Sequence, residues 1–149
     1  MKFSMKTAGF KEMEAALGEF TKPTARNVLT RAGMDAMRPA ANAMQRKAPV
    51  AAGDLKEAVA VGTKTNAGRE FRDPDVVEVY AGVAVVGAGM PPQAIQQEFG
   101  NERHGPQAYV RPGWDAEKGQ VMDHLEDSLS TEIDKATARA QRRALKAKG

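Results

Sequence analysis

The chain has 149 residues, 42% of them hydrophobic, so it is long enough to bury one core and we expect a single domain. Aromatic residues make up only 5%, so alanine and methionine must supply much of the apolar surface. The absence of cysteine excludes disulfides and thiolate chemistry, and no apolar run approaches the roughly 18 residues of a membrane span. Residues 1–6 lack an apolar run, so we expect no signal peptide to begin there.

The net charge of +3 is unevenly distributed. Residues 1–135 are slightly acidic, whereas residues 136–149 hold no acidic residue; their basic residues are Arg139, Arg142, Arg143, Lys146 and Lys148. We therefore divide the chain into a domain over 1–135 and a basic helix end or tail over 136–149. Such a tail can contact phosphates or an acidic protein face, but a solvated helix end is the more common structure.

Two helices are predicted in the N-terminal part. Phe10, Met13 and Leu17 recur at helical spacing, which predicts an amphipathic helix over residues 9–20. A longer helix is predicted from about residue 23 to residue 46, and Pro39 is expected to kink it or split it in two.

The middle of the chain predicts an antiparallel β-hairpin. Residues 59–65 and 76–86 are rich in β-branched residues, which favours strands, and the polar residues 66–75 form the connecting loop. Gly82 is a candidate β-bulge. A turn is expected at Gly53-Asp54, before the first strand.

Four further elements are predicted after the hairpin: a short helix over residues 92–99, a polar loop over 101–107, a short strand over 108–110, and a long helix from Trp114 onward. An apolar stripe supports the long helix; it consists of Val121, Leu125, Leu129, Ile133, Ala136 and Ala140. The predicted fold class is α+β, with N-terminal helices and a long C-terminal helix packed on a small antiparallel β-sheet.

No catalytic or metal site is predicted, and we expect no enzyme and no cofactor. His104 and His124 are the only histidines, and neither has the spacing of a catalytic triad or of a metal site. Gly87 and Gly89 follow a predicted strand, but Pro92 stands where a dinucleotide-binding motif requires its third glycine. A hydrolase that uses a histidine with nearby carboxylates remains an alternative.

The junction before the last helix is the candidate assembly site. Phe99 and Tyr109 are expected to bury apolar area near the sheet, and Arg111 offers a planar fork that suits a carboxylate such as Glu98. Simple exposure of Arg111 is the other possibility. Gly100 is expected to end the preceding helix or strand, because glycine accepts positive φ. The candidate residues are Glu98, Phe99, Gly100, Tyr109, Arg111, Pro112 and Trp114.

Four short strings occur in order within roughly residues 9–115: Gly9–Leu17, Arg31–Lys56 with its APVAAGDLK end, Glu98–Gly100, and Ala108–Pro112. Together they resemble a family of tailed-bacteriophage neck and tail-completion proteins, typified by gene product ten of a lambda-like phage. The family strings are an opening helix, a helix ending in Ala-Pro-Val then Gly then Leu, Glu-Phe-Gly-Thr, and Pro-Phe-Leu-Arg-Pro-Ala. Asn101, Ala108 and Gly113 depart from these strings, and the last helix lies beyond the resemblance.

The resemblance implies a structural protein of the virion. Such a protein is a subunit of a homo-oligomeric ring, with a hexamer as one option, in the neck between capsid and tail. Its neighbours would be a head-side connector or stopper protein and a tail terminator or tail tube protein. Assembly would take place in the bacterial cytoplasm, with no enzymatic activity and no membrane. Non-specific contact with DNA in the channel is left open, and a small basic nucleic-acid-binding protein is the alternative function.

Overall fold

The computed structural model describes residues 7–49, 53–63, 73, 76–84 and 91–149. Six helices and two strands occur in these ranges: α1 (Thr7–Gly18), α2 (Lys22–Lys47), α3 (Gly53–Ala58), β1 (Val59–Gly62), β2 (Tyr80–Val83), α4 (Pro92–Phe99), α5 (Val110–Glu117) and α6 (Val121–Lys148). The strands form an antiparallel sheet. The predicted α+β class is therefore confirmed.

Helix α2 is the element on which the others pack. Its first half contacts α6, and its second half contacts α5 and the sheet. Alanines line most of its buried face, and their small side chains let the neighbouring helices approach closely. Pro39 lies inside α2 and the helix continues through it, so of the two expected effects, a kink or a split, the split does not occur.

Two apolar clusters form the core. The helical cluster joins α2 to α6, with α1 packed against it; its buried members are Val28, Ala32, Leu129, Ile133 and Ala136. The junction cluster joins α2 to α3, β1, α4 and the start of α5; its buried members are Ala40, Ala41, Met44, Ala48, Leu55, Val59, Ala94 and Tyr109. Burial of each larger side chain in these clusters contributes about 1.5–3 kcal/mol.

The hairpin is shorter than predicted. Its register runs without interruption from Val59 opposite Val83 to Gly62 opposite Tyr80, so the bulge predicted at Gly82 is wrong. Residues 76–79 do not join the strand, because the segment lies along α2 instead. The Arg26 side chain of α2 donates a hydrogen bond to the Val76 carbonyl at 3.3 Å. The predicted loop over 66–75 lies outside the described residues except for Asp73, as do Gly87 and Gly89.

Three other predictions need correction. The sequence predicts a turn at Gly53-Asp54, whereas these residues begin helix α3, whose six residues are too few to show a helical period. The strand predicted over 108–110 is absent: residues 101–109 have no regular structure, and Val110 begins α5. The single long helix from Trp114 is two helices, because residues 118–120 form a turn between α5 and α6.

The remaining helices match their predictions closely. Helix α4 has its predicted bounds, and α1 and α2 differ from theirs by one or two residues at each end. Helix α6 runs on through residues 136–148, so the basic segment continues a helix whose first half packs in the core.

Candidate functional site

The Glu98 carboxylate holds the N-terminus of α5. It accepts three backbone hydrogen bonds: Oε2 from the N–H groups of Tyr109 at 2.9 Å and Val110 at 3.0 Å, and Oε1 from that of Arg111 at 3.0 Å. The first N–H groups of a helix have no acceptor within the helix, and a negative charge there also favours the helix dipole. Tyr109 occupies the N-cap position without a capping bond of its own side chain, so Glu98 supplies the cap from the preceding helix.

Burial alone would raise the pKa of Glu98, but the three backbone donors and the Arg111 charge outweigh it and hold this pKa below its ordinary value. The Arg111 Nε lies 3.9 Å from Glu98 Oε1, so the predicted pair exists as a long contact. The Arg111 side chain is mostly exposed, and its contribution to stability is correspondingly small. The backbone, and not Arg111, is the main partner of Glu98.

The loop between α4 and α5 has a defined backbone path. Gly100 has a φ of 78°, as the helix-end prediction required, and a Cβ there would lie 2.9 Å from the Pro106 nitrogen. The Asn101 side chain accepts hydrogen bonds from the N–H groups of Arg103 and His104, at 2.8 and 3.0 Å. The Gln107 N–H donates a hydrogen bond to the Gln97 carbonyl at 2.7 Å. These bonds bring residues 109–111 back to Glu98.

Pro112 and Gly113 fit α5 against the rest of the junction. Pro112 lies in the first turn of α5, where its missing N–H costs no helical bond. Gly113 is buried where α5 crosses α2, and a Cβ on it would lie 2.7 Å from both the backbone N and Cα of Met44. Only glycine allows this crossing distance. Pro112 and Gly113 thus help to position α5, the helix that follows the junction.

Tyr109 and Phe99 behave differently. Tyr109 is fully buried in the junction cluster, as predicted. Its hydroxyl has no hydrogen-bond partner among the described residues, and burial together with the Glu98 charge raises the pKa of Tyr109. Phe99 is 64% exposed, so its predicted burial is wrong. Ala94 and Glu98 are the residues of α4 that face the core, which turns Phe99 outward, where its ring centroid lies 5.4 Å from the Arg111 guanidinium carbon.

An apolar groove of about 420 Å³ lies beside this junction. Ala81 and Val83 of β2 contribute to its lining, together with Ile95 and Phe99 of α4 and Val110 and Trp114 of α5. Ile95 is 55% exposed, so the groove and the α4 surface beside it present two large apolar side chains to solvent. Four residues of the candidate assembly site line this groove, namely Glu98, Phe99, Arg111 and Trp114, whereas Gly100, Tyr109 and Pro112 do not.

The basic residues at the C-terminal end of α6 are not among those that line the groove. They lie on the exposed last turns of α6 and make no ion pair within the part of the chain that the structure describes; they are Arg139, Arg142, Arg143, Lys146 and Lys148. Leu145 among them is 72% exposed.

The two histidines lie in different elements of the fold. His104 is in the exposed loop, hydrogen-bonded to Asn101 and Gly105, whereas His124 is half-buried on α6. Within the described ranges, no three acidic or histidine side chains are grouped as metal ligands. The helices that the structure describes include none that is long and apolar enough to cross a membrane.

Comparisons with known proteins returned no match to a family model, to a curated protein or to a solved structure.

Sequence reasoning missed two features of the site: the backbone bonds of Glu98 and the close contact of Gly113. One signal was available for the first. Residues 107–109 are Gln, Ala and Tyr, none of which caps a helix well, so a helix that begins at Val110 needs an acceptor from elsewhere in the chain. The second depends on the distance between α2 and α5, for which the sequence has no local signal.

Proposed function

We propose that this chain is a structural subunit of the neck of a tailed bacteriophage. It forms a ring that completes the tail or connects it to the DNA-filled capsid. The observation that carries the proposal is the apolar groove with the exposed Ile95 and Phe99 beside a rigidly held helix α5. Apolar surface of this kind on a small protein marks an interaction site.

Two of the strings that carry the family resemblance contribute residues to the groove, namely Glu98 and Phe99 from one and Val110 and Arg111 from the other. The string Glu98–Gly100 ends α4 and supplies the cap of α5, and the string Ala108–Pro112 leads into α5. These strings therefore fix the two walls of the groove, α4 and α5, relative to each other. In a ring, each subunit would place a different surface in the groove of its neighbour, which is a heterologous contact that closes on itself.

The partners in this proposal are further copies of the chain, a head-side connector or stopper protein, and a tail terminator or tail tube protein. The place of action is the virion neck, after assembly in the bacterial cytoplasm. The proposal includes neither a catalytic step nor a cofactor. The exposed basic end of α6 favours a second candidate, non-specific binding of nucleic acid through phosphates.

Sedimentation velocity and negative-stain images of the purified protein test the ring. The wild type is expected to form rings whose population grows with protein concentration. The double variant Ile95→Ser/Phe99→Ser should keep its melting temperature but remain monomeric. Val76→Ser, which alters an exposed apolar residue outside the groove, is the control and should form rings. A wild type that is monomeric at every concentration would overturn the ring, and rings formed by the groove variant would overturn the role of the groove.

The place in the virion needs a separate experiment. In the phage that carries this chain, deletion of its gene should leave filled heads and tails unjoined, and a plasmid copy should restore joined particles. Infectious, joined particles made without the chain would contradict the neck assignment. Salt-dependent DNA binding by the monomer, together with normal particles after deletion, would support the second candidate instead.

A further inference from the structure

Helix α6 carries opposite charges on its two halves. Residues 121–134 contain no lysine or arginine, and residues 135–148 contain no acid. The acidic residues of the first half are Asp123, Glu126, Asp127, Glu132 and Asp134; the basic residues of the second half are Lys135, Arg139, Arg142, Arg143, Lys146 and Lys148. A separation this complete along one helix makes it strongly polar from end to end.

The exposed charges also lie in stripes. With 3.6 residues per turn, Arg139, Arg142, Arg143 and Lys146 fall within about 100° of the helix circumference, and we call them the basic stripe. On the first half, Asp123, Asp127 and Asp134 fall within about 40°, and we call them the acidic stripe. All the residues of both stripes are exposed.

Neither stripe has an ionic partner in the described part of the chain. The two stripes of one molecule also face different sides of the helix. Their nearest members, Asp134 and Arg139, are five residues apart, which is about 7.5 Å along the axis and about 140° around it. These two side chains therefore point in different directions and form no ion pair within the described part of the chain.

The basic stripe lies on a segment that projects from the body. Beyond Ala136 no residue of α6 is buried, and residues 137–148 extend for about 18 Å. The projecting segment also presents Leu145 to solvent. An exposed helix end of this length can lie along a second molecule.

We propose that the basic stripe of one copy binds the acidic stripe of α6 in a second copy of this chain. The inference rests on the proposed ring and names a contact between its subunits. Charge complementarity carries it: Arg139 and Lys146 have the same seven-residue spacing as Asp127 and Asp134, so two charges on one helix face match two on the other.

Nucleic acid is the less favoured partner for the basic stripe. The segment from residue 137 to residue 148 contains no aromatic side chain on which a base could stack. The acidic stripe faces a different side of the helix, and its like charge gives it no attraction to a phosphate backbone. A second copy satisfies both stripes at once, whereas nucleic acid satisfies only one.

Paired charge reversals test the contact. Arg139→Glu/Lys146→Glu makes the projecting end acidic, and Asp127→Lys/Asp134→Lys makes the first half basic. The matched control, Lys11→Glu/Arg103→Glu, changes the net charge by as much as the first variant at exposed sites outside α6. Self-association is measured by sedimentation at about 0.05 and 0.5 M salt, and circular dichroism verifies that each variant is folded.

Each α6 reversal alone is expected to weaken self-association at least tenfold at low salt, and the control less than threefold. A 1:1 mixture of the two reversed proteins, and the variant with all four changes, should recover the wild-type affinity to within about threefold, because complementarity is restored. Rings that survive both reversals would overturn this inference and leave the ring intact, whereas a wild type that never associates would remove both. Loss of DNA binding without change in self-association would assign the basic stripe to nucleic acid and also overturn the inference.

Discussion

The two core clusters each adjoin one buried glutamate, and they hold it in different ways. In the junction region, Glu98 is 8% exposed and is bound by three backbone N–H groups. In the helical region, Glu132 is 5% exposed and is paired with side chains, Lys135 at 2.9 Å and Arg31 at 3.9 Å. Backbone donors are fixed in position by the fold, whereas the ends of lysine and arginine side chains move.

This difference predicts how each region responds to change. Removal of the Glu98 carboxylate leaves the N–H groups at the start of α5 without their acceptor, and a rotamer change of a neighbouring side chain does not replace it. Removal of the Glu132 carboxylate leaves Lys135 and Arg31 without this partner. Their side chains are more than half exposed, so water readily hydrates them. Substitutions in the junction region should therefore have the larger effects on stability.

Gly113→Ala is expected to have the largest effect. The new Cβ would approach the Met44 backbone to 2.7 Å, so α5 must move away from α2, and we expect unfolding to become easier by about 3 kcal/mol. Chemical denaturation measures this change. Gly119→Ala is the matched control, because its Cβ would meet nothing within 4 Å. Equal stability of the two variants would show that the crossing tolerates a side chain.

Glu98→Ala comes next, with an expected loss of about 2–3 kcal/mol, because the α5 N-terminus loses its charged acceptor. Glu98→Gln keeps one acceptor oxygen and should lose about half as much. Thermal and urea denaturation of both variants supply the comparison. A Glu98→Ala protein as stable as the wild type would mean that water replaces the carboxylate at no cost.

The same carboxylate predicts a pH dependence. The pKa of Glu98 is lowered on folding from its ordinary value of 4.5, so the ionised form stabilises the fold. Its contribution is fully present above about pH 4.5 and is lost as the pH falls through the lower, folded-state pKa. The difference in unfolding free energy between wild type and Glu98→Gln should therefore shrink between pH 6 and pH 3. A constant difference over this range would contradict the assignment.

Glu132→Ala should cost only about 1 kcal/mol, and Glu132→Met should be close to neutral. The methionine fills the buried site between α2 and α6 and removes the need to desolvate a charge. Chemical denaturation of Glu132→Met and Glu98→Met under the same conditions compares the stability lost in the two regions. If both methionine variants lose the same stability, the distinction between backbone and side-chain partners does not hold.

Phe99→Ala should have the smallest effect on folding, within about 0.5 kcal/mol, because the ring is mostly exposed. The melting curve of the monomer verifies this. The same variant should weaken self-association if the groove is an interface. A large loss of monomer stability would indicate that Phe99 packs more closely than its exposure shows.

The helical region was the more predictable of the two. Leu129, Ile133 and Ala136 belong to an apolar stripe with a helical period, and all three are buried against α2. Such a pattern is local, so the sequence displays it. The paired strands were also predicted from their β-branched residues, although the contact of residues 76–79 with α2 shortens the second strand.

The junction was only partly predictable for the opposite reason. The sequence predicts a short strand over residues 108–110, whereas Val110 begins α5. The cap that makes α5 a helix comes from Glu98, eleven residues before Tyr109. Which way a short helix such as α4 turns its Phe99 depends on which residues its neighbours cover. Both outcomes are set by tertiary contacts, and a single sequence shows no period or turn motif that announces them.

The bonds that close the loop between α4 and α5 have a practical consequence. Two hydrogen bonds hold the ends of the loop together: the Tyr109 N–H donates to the Glu98 carboxylate, and the Gln107 N–H donates to the Gln97 carbonyl. Residues 101–105 between them are exposed. A Cβ at Gly105 would meet no atom within 4 Å. Added chain at such a tip costs little, because the entropy of loop closure rises slowly with length. Residue 105 is thus a suitable place to insert a peptide tag or attach a fluorophore while the folded body is left undisturbed.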